Sequence, residues 1–390
     1  MENSTLFFYF ISETLPNICQ INFFSLRIAF NVCIAAYLFG DLAIYITAVS
    51  KSLRDVSCGG TGSGNTSNSG SNSSIPDIND PCWTTIPQLS RSDVYKIFVA
   101  LFIMVLGPFA YFNVSKTKYL QMFTTLMRWT AFVTMITLSI LRITDDRQEH
   151  GHPPILDIST APMVFGVSVY AFMCHHSIPS LITPIENKTK VTGILAADYV
   201  LIATFYLLLS FTGIFAFPEV PDLYTLAFSP VQGSVSVPTK IADYFLALFP
   251  VFTLSTNFPI IAITLRNNID TIASDASERI AGLPAGVRRL LFPTVAILPP
   301  ALVALATENL GLLVSITGAF AGAGIQYIIP CTLVWLARRK LNQFGQELNL
   351  NFRNPLESFF KHTGFIITIL VWSLVAVGLV AANFIIKAIK

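Results

Sequence analysis

Charge is what this sequence has least of. Lysine, arginine, aspartate and glutamate make up 12% of its 390 residues, about half the roughly 25% usual in a soluble domain. The net charge of +2 is small and scattered, which excludes the basic stripe of a nucleic-acid-binding protein. Six cysteines in a chain of this length exclude a disulfide scaffold. A cleavable leader is not written at the start either. Glu2 stands where a basic n-region would, and "LFFYFI" is too short for a signal core.

Apolar sequence is abundant instead. Hydrophobic residues make up 53% of the chain, and the mean hydropathy is +0.63. A hydrocarbon core takes about 20 mostly apolar residues to cross. Nine segments meet that measure, at 27–50, 95–112, 120–142, 163–183, 198–217, 241–265, 290–306, 310–336 and 363–386. Each is predicted to be helical, because a lipid-exposed backbone must satisfy its own hydrogen bonds. The fold class is therefore an all-α polytopic membrane protein whose first partner is the lipid bilayer.

The basic residues orient it. With the N-terminus in the cytosol, inside segments hold fourteen lysines and arginines and outside segments seven, with Lys96, Arg128 and Arg142 inside spans. The organisation expected is a cytosolic segment 1–26, a membrane domain 27–386, an outer loop 51–93, and cytosolic loops 266–289 and 337–362. The outer loop contains "CGGTGSGNTSNSGSNSS", too polar to fold alone, with glycosylation sequons at Asn65 and Asn72. Cys58 and Cys82 flank it, and a bridge between them is expected on an oxidising face. The sequons at Asn3, Asn113 and Asn187 fall on the cytosolic side of this reading and are taken as chance matches.

Polar residues inside the spans are the functional candidates, since burying them is costly. Asp41 sits in "YLFGDLAIYITAV", roughly 21 Å from the cytosolic end of its span, and Arg128 roughly 12 Å from the same side in the third. Three readings of Asp41 stay open: a place on a transport path, a structural pair with Arg128, or a hydrated helix end. The fourth span, "FGVSVYAFMCHHSIPSLITPI", holds Gly166, His175, His176 and Pro179. A helix broken there frees backbone groups near the midplane, where transporters hold ions and small zwitterions, and histidine can carry a proton. The sixth span sets Thr253, Ser255, Thr256 and Asn257 between Pro250 and Pro259. Their oxygens suit a small cation, or else bond back to helix carbonyls. Gly318, Gly322 and Gly324 in the eighth span read as a close-packing surface. His150 and His152 in "EHGHPP" lack further ligands for a metal. The spans carry no paired carboxylates and no nucleophile–base set, which argues against an enzyme.

Five runs, "YLFGDLAIY", "GPFAYFNVSKTKYLQ", "YAFMCHHSIPSLITP", "LFPVFTLSTNFPIIAITLRNN" and "SITGAFAGAGIQYIIP", occur in order. The set, over about residues 26–390, resembles the amino acid/auxin permease family. That resemblance implies a leucine-transporter-like inverted repeat of eleven helices, moving a small amino acid and coupled to a proton or a sodium ion, with no other cofactor. It implies plasma-membrane or endolysosomal localisation. His175 and His176 then fall near the substrate site with Gly166 and Pro179. Ser255 and Asn257 match cation-facing positions, with Thr253 and Thr256 beside them, and Asp41 matches a Gly-Asp pair toward an outer vestibule. The family's first two helices, half of its substrate site, have no counterpart in this sequence. The expectation is an incomplete repeat, truncated and with weak or no transport alone. The alternative is a non-transporting membrane protein that regulates or assembles with a full-length relative.

Overall fold

The computed structural model describes residues 17–58, 80–83, 86–112, 118–145, 150–154, 160–178, 182–183, 185–186, 190–228, 237–347, 360 and 362–389. Ten α-helices of eight or more residues carry the fold. They are α1 (Asn17–Ser57), α2 (Arg91–Leu106), α3 (Lys118–Ile143), α4 (Ala161–Ala171), α5 (Val191–Ala216), α6 (Val237–Ala276), α7 (Ala285–Ala306), α8 (Leu310–Thr317), α9 (Ile329–Glu347) and α10 (Thr363–Ile389). Between α8 and α9 the backbone loosens into two π-helical segments, Gly318–Gly322 and Gly324–Ile328. A short hairpin, β1 (Pro81–Trp83) and β2 (Ile86–Ser90), precedes α2 and pairs antiparallel.

Eight of the nine expected spans coincide with helices long and apolar enough to cross a membrane. The fourth does not: α4 is 11 residues long and stops at Ala171. Several loops are also shorter than expected. α6 runs to Ala276, so residues 266–276 extend a helix rather than form a loop. α1 reaches Ser57 and α9 reaches Glu347, each beyond its hydrophobic stretch. Helices end where capping and backbone sterics allow, not where hydropathy falls. Pro250 and Pro259 both lie within the continuous α6.

α1 is the centre of the bundle. Leu38, Leu42, Ile46 and Val49 recur at helical spacing and are almost fully buried. They meet Tyr95, Val99 and Phe102 of α2, Phe258 and Leu265 of α6, and Ala296, Ala301 and Ala304 of α7 in one core. The outer helices show the opposite pattern. α10 and α5 leave large apolar side chains such as Leu379, Ile367, Val200 and Phe211 exposed, as a hydrocarbon solvent requires.

The two ends of the bundle are tied by different contacts. At one end Arg27 pairs with Asp275 at 2.6 Å, and Arg288 with Asp270 at 2.5 Å. At the other, Arg54 pairs with Asp55 at 2.8 Å and Glu308 at 2.5 Å, and Arg91 with Asp55 at 2.9 Å. Next to that network the Cys58–Cys82 disulfide joins α1 to β1, and the Trp83 indole donates to the Ser57 carbonyl at 2.9 Å.

The path of residues 160–190 follows from the same contacts. Arg142, at the end of α3, donates to the carbonyl of Ala216, at the end of α5, at 2.9 Å. The Gly151 amide donates to Phe215 at the same place. The connection from α3 therefore begins where α5 ends, and the chain must reach the far end of the bundle before α5 starts at Val191. Of the described residues between Gly151 and Lys190, α4 is a helix of 11 residues, too short to make that passage alone.

Candidate substrate and ion site at the broken helix

The break follows from the sequence. A helix continuing through Pro179 would lack an amide there and would press the proline ring on the carbonyl of His175. The turn that replaces it is held by the amides of Ser177 and Ile178, which donate to the Cys174 carbonyl at 2.9 and 3.1 Å. Among the described residues, the amides of Cys174, His175 and His176 make no backbone hydrogen bond. Backbone polar groups left free inside a bundle are groups a ligand can use.

One charged side chain of α1 reaches the element that leads into this break. Asp41 is 5% exposed, so it is buried and not at a hydrated helix end. Its partner is Tyr170, the residue before the last of α4, whose hydroxyl donates to Asp41 Oδ1 at 2.5 Å. Tyr37, one turn earlier on α1, also turns toward that carboxyl. No ion pair joins Asp41 to Arg128 among the described residues, so the expected structural pair does not form. A buried carboxylate bonded only to neutral phenols remains electrostatically uncompensated until it takes a proton or a cation.

The histidines separate. The ring of His176 lies 5.7 Å from that of Tyr37, which in turn lies 6.0 Å from Tyr170. His176 thus borders the Asp41 cluster. His175 is half-buried, with Nδ1 buried and without a hydrogen-bond partner among the described residues. Cys174 Sγ meets the Tyr199 hydroxyl of α5 at 2.9 Å. Pro179 lies outside the described residues, as do Asn65 and Asn72.

Gly166 is a close-packing position. A Cβ there would overlap the carbonyl of Ser315 on α8, and one at Gly318 would overlap the carbonyl of Gly166. A Cβ at Gly40 would likewise collide with Thr317. Gly166 and Gly318 therefore let α4 pack backbone against backbone on α8 and the first π-helical segment, and Gly40 lets α1 close on the Thr317 side chain. That packing carries Tyr170 to Asp41.

The polar residues of α6 sit on one continuous helix. Thr253 Oγ1 donates to the Phe249 carbonyl at 2.9 Å, and Thr256 Oγ1 to the Thr253 carbonyl at 3.0 Å. Each hydroxyl gives its proton to its own helix and keeps its oxygen lone pairs. Ser255 and Asn257 are half-buried. Two positions apart on a continuous helix, they point about 200° away from each other. Thr253, Thr256 and Asn257, at i, i+3 and i+4, share one face of the helix, and Ser255 lies off it.

Tyr170 and Tyr37 were missed. The available signal was spacing: Tyr37, Asp41 and Tyr45 fall at i, i+4 and i+8, one face of α1. The ionic network of Arg54, Asp55, Arg91 and Glu308 was also missed, because its members are distant in sequence.

The family described as transmembrane amino acid transporter protein matches residues 16–381. Human transmembrane protein 104 is 47% identical over 367 residues, covering 93% of this chain and 70% of its own length. The transmembrane protein 104 homolog of Drosophila melanogaster is 44% identical over 369 residues, covering 92% and 70%. The homolog of Dictyostelium discoideum is 35% identical over 368 residues, covering 90% and 66%. No solved structure matches the chain.

Proposed function

We infer function from one premise: the chain belongs to the transmembrane amino acid transporter family. It is a multi-pass membrane protein, and we propose that it carries a small amino acid across the bilayer by secondary transport. The substrate is held at the break after α4, near His175 and His176. The coupling ion, a proton or sodium, is handled by Asp41.

The observation that carries this reading is the Tyr170–Asp41 hydrogen bond. Asp41 is on a continuous central helix, and Tyr170 is on the interrupted one. Any rearrangement of the break that occurs on substrate binding changes the hydrogen bond that Tyr170 gives the carboxyl. Conversely, a proton or cation arriving at Asp41 changes how firmly it holds Tyr170. Reciprocal coupling of this kind between two sites is what ion-driven transport requires.

The test is uptake by the purified chain in proteoliposomes under an imposed proton or sodium gradient. Uptake by wild type alone is expected to be weak, and its stimulation by one of the two gradients is lost in Asp41→Asn while some exchange persists. Equal gradient stimulation in wild type and Asp41→Asn removes Asp41 from coupling. Absence of uptake with either gradient overturns the transport reading for this chain.

A further inference from the structure

Leu310 to Arg339, 30 residues, make one membrane span through α8, the two π-helical segments and the start of α9. Glu308, just before that span, is bonded to Arg54. Arg339 therefore lies at the opposite end of the bundle, where α10 starts its return at Thr363.

The two helix ends are fastened there. Arg338 Nη2 donates at 3.0 Å to the carbonyl of Phe360, just before α10. The Phe360 ring meets Phe365 of α10 edge-on, with centroids 5.2 Å apart. One turn back on α9, the Trp335 ring lies beneath Arg339, whose guanidinium carbon is 5.8 Å from the ring centre. Trp335 is 44% exposed, and Arg339 is exposed as well.

Two properties of this corner select its occupant. The first is level. A tryptophan at the edge of a membrane span sits among the lipid headgroups, and cation–π attraction holds Arg339 to that ring. The ring covers one face of the guanidinium, and the N–H groups around its rim stay available to a phosphate. The second is charge. At this same end Arg27 and Arg288 are paired with Asp275 and Asp270. Arg339 forms no ion pair among the described residues. Lys340 follows it in sequence, and residues 337–362 hold five lysines and arginines against two glutamates. A zwitterionic headgroup leaves that excess uncompensated, whereas an anionic one balances it.

We propose that the α9–α10 corner binds the phosphate of an anionic lipid headgroup, with Arg339 as the contact and Trp335 as the residue that positions it. Neither the break nor Asp41 takes part, so the site stands or falls apart from the transport reading.

The experiment is lipid titration of the purified full chain in detergent micelles, read by native mass spectrometry. The probes are phosphatidylserine, phosphatidic acid and phosphatidylcholine, with glycerophosphoserine as a soluble competitor. The variants are Arg339→Gln, Trp335→Leu and Arg279→Gln, the last removing an exposed arginine of the α6–α7 connection at the same end. Both anionic lipids are expected to bind at least fivefold tighter than phosphatidylcholine. Arg339→Gln is expected to lose about fivefold of that affinity, the worth of one basic residue near an anionic surface. Trp335→Leu should lose about threefold, and Arg279→Gln should bind like wild type. Equal binding of phosphatidylcholine and the anionic lipids overturns the proposal, as does unchanged binding by Arg339→Gln. An equal loss in Arg279→Gln reveals diffuse attraction instead of a site and also overturns it. Glycerophosphoserine that displaces the lipid at equal concentration makes this a site for a free anion, against the proposal. If Arg339→Gln does not stay monodisperse, Trp335→Leu decides, and wild-type binding by it overturns the proposal.

Discussion

At the scale of single residues, the site depends on three missing side chains as much as on the polar ones present. Gly166, Gly318 and Gly40 sit where a single methyl would overlap backbone or a β-branched side chain. Overpacking a well-filled interior costs about 1–3 kcal/mol when neighbours can shift, and carbonyl oxygens of packed helices shift least. Gly318→Ala is therefore expected to lower the melting temperature in detergent and to uncouple Tyr170 from Asp41, reducing uptake to a few per cent. Gly378→Ala, where nothing lies within 4 Å of the added methyl, is the control and should leave both unchanged. A Gly318→Ala protein with wild-type melting and uptake would refute the packing argument. The sequence already marked Gly318 and Gly322 as packing residues, because small residues spaced four apart form a periodic signal. It could not reveal that Gly166 belongs with them, since the two are far apart in the chain and only the fold sets them face to face. Asp41 was legible as a buried acid for the same reason Tyr170 was not: an acid in an apolar run is a local anomaly, whereas a tyrosine in a membrane helix is ordinary.

At the scale of elements, the two ends of the bundle are built differently. The Arg54 end combines a disulfide with a chain of charges linking α1, α2 and the α7–α8 connection. The side chains of Arg54 and Asp55 are 8% and 16% exposed, and Glu308 is 19% exposed. Removing one member strands the others, which costs roughly 3–5 kcal/mol for a buried pair. Arg54→Ala is expected to lower the melting temperature strongly, and Glu308→Gln less, because Arg54 keeps Asp55. The disulfide closes a 24-residue separation, and its loss in Cys58→Ser with Cys82→Ser should cost about 3 kcal/mol. Thermal melts of the purified variants, with and without reductant, check both. Reductant should shift wild type but not the double serine variant. Of these elements the cysteine pair was legible, because two cysteines flanking a polar tract stand out in one pass. The ion network was not, since Arg54, Arg91 and Glu308 each look like ordinary residues at a helix end. The short α4 was half legible: prolines and glycine announced a break, but hydropathy ran on past Ala171 and made the span look continuous.

At the scale of the whole molecule, the question is how many times the chain crosses. Among the described residues, eight helices are long and apolar enough to do so, and eight crossings would return both ends to one side. The contacts argue for a ninth passage. Arg142, Gly151 and Ala216 meet at the Arg54 end, because Lys51 of α1 pairs with Asp222 just after α5, at 3.6 Å. α5 runs 26 residues away from that end, about 39 Å at 1.5 Å per residue. The chain between Gly151 and Val191 would have to cover the same distance in the opposite direction, and we propose that it crosses, since its longest described helix, α4, is too short to cross alone. Nine passages would set the two ends on opposite faces, and from the two-to-one excess of basic residues we propose that the N-terminal end faces the cytosol. In sealed vesicles an epitope tag before Met1 should be digested by added protease. A tag after Lys390 should be protected, together with glycans at Asn65 and Asn72. The double variant Asn65→Gln, Asn72→Gln should lose the glycosidase-sensitive mass. Two tags digested together would mean that the broken segment turns back within the membrane. In that case the free amides around His175 would line a re-entrant loop rather than a passage between the two faces.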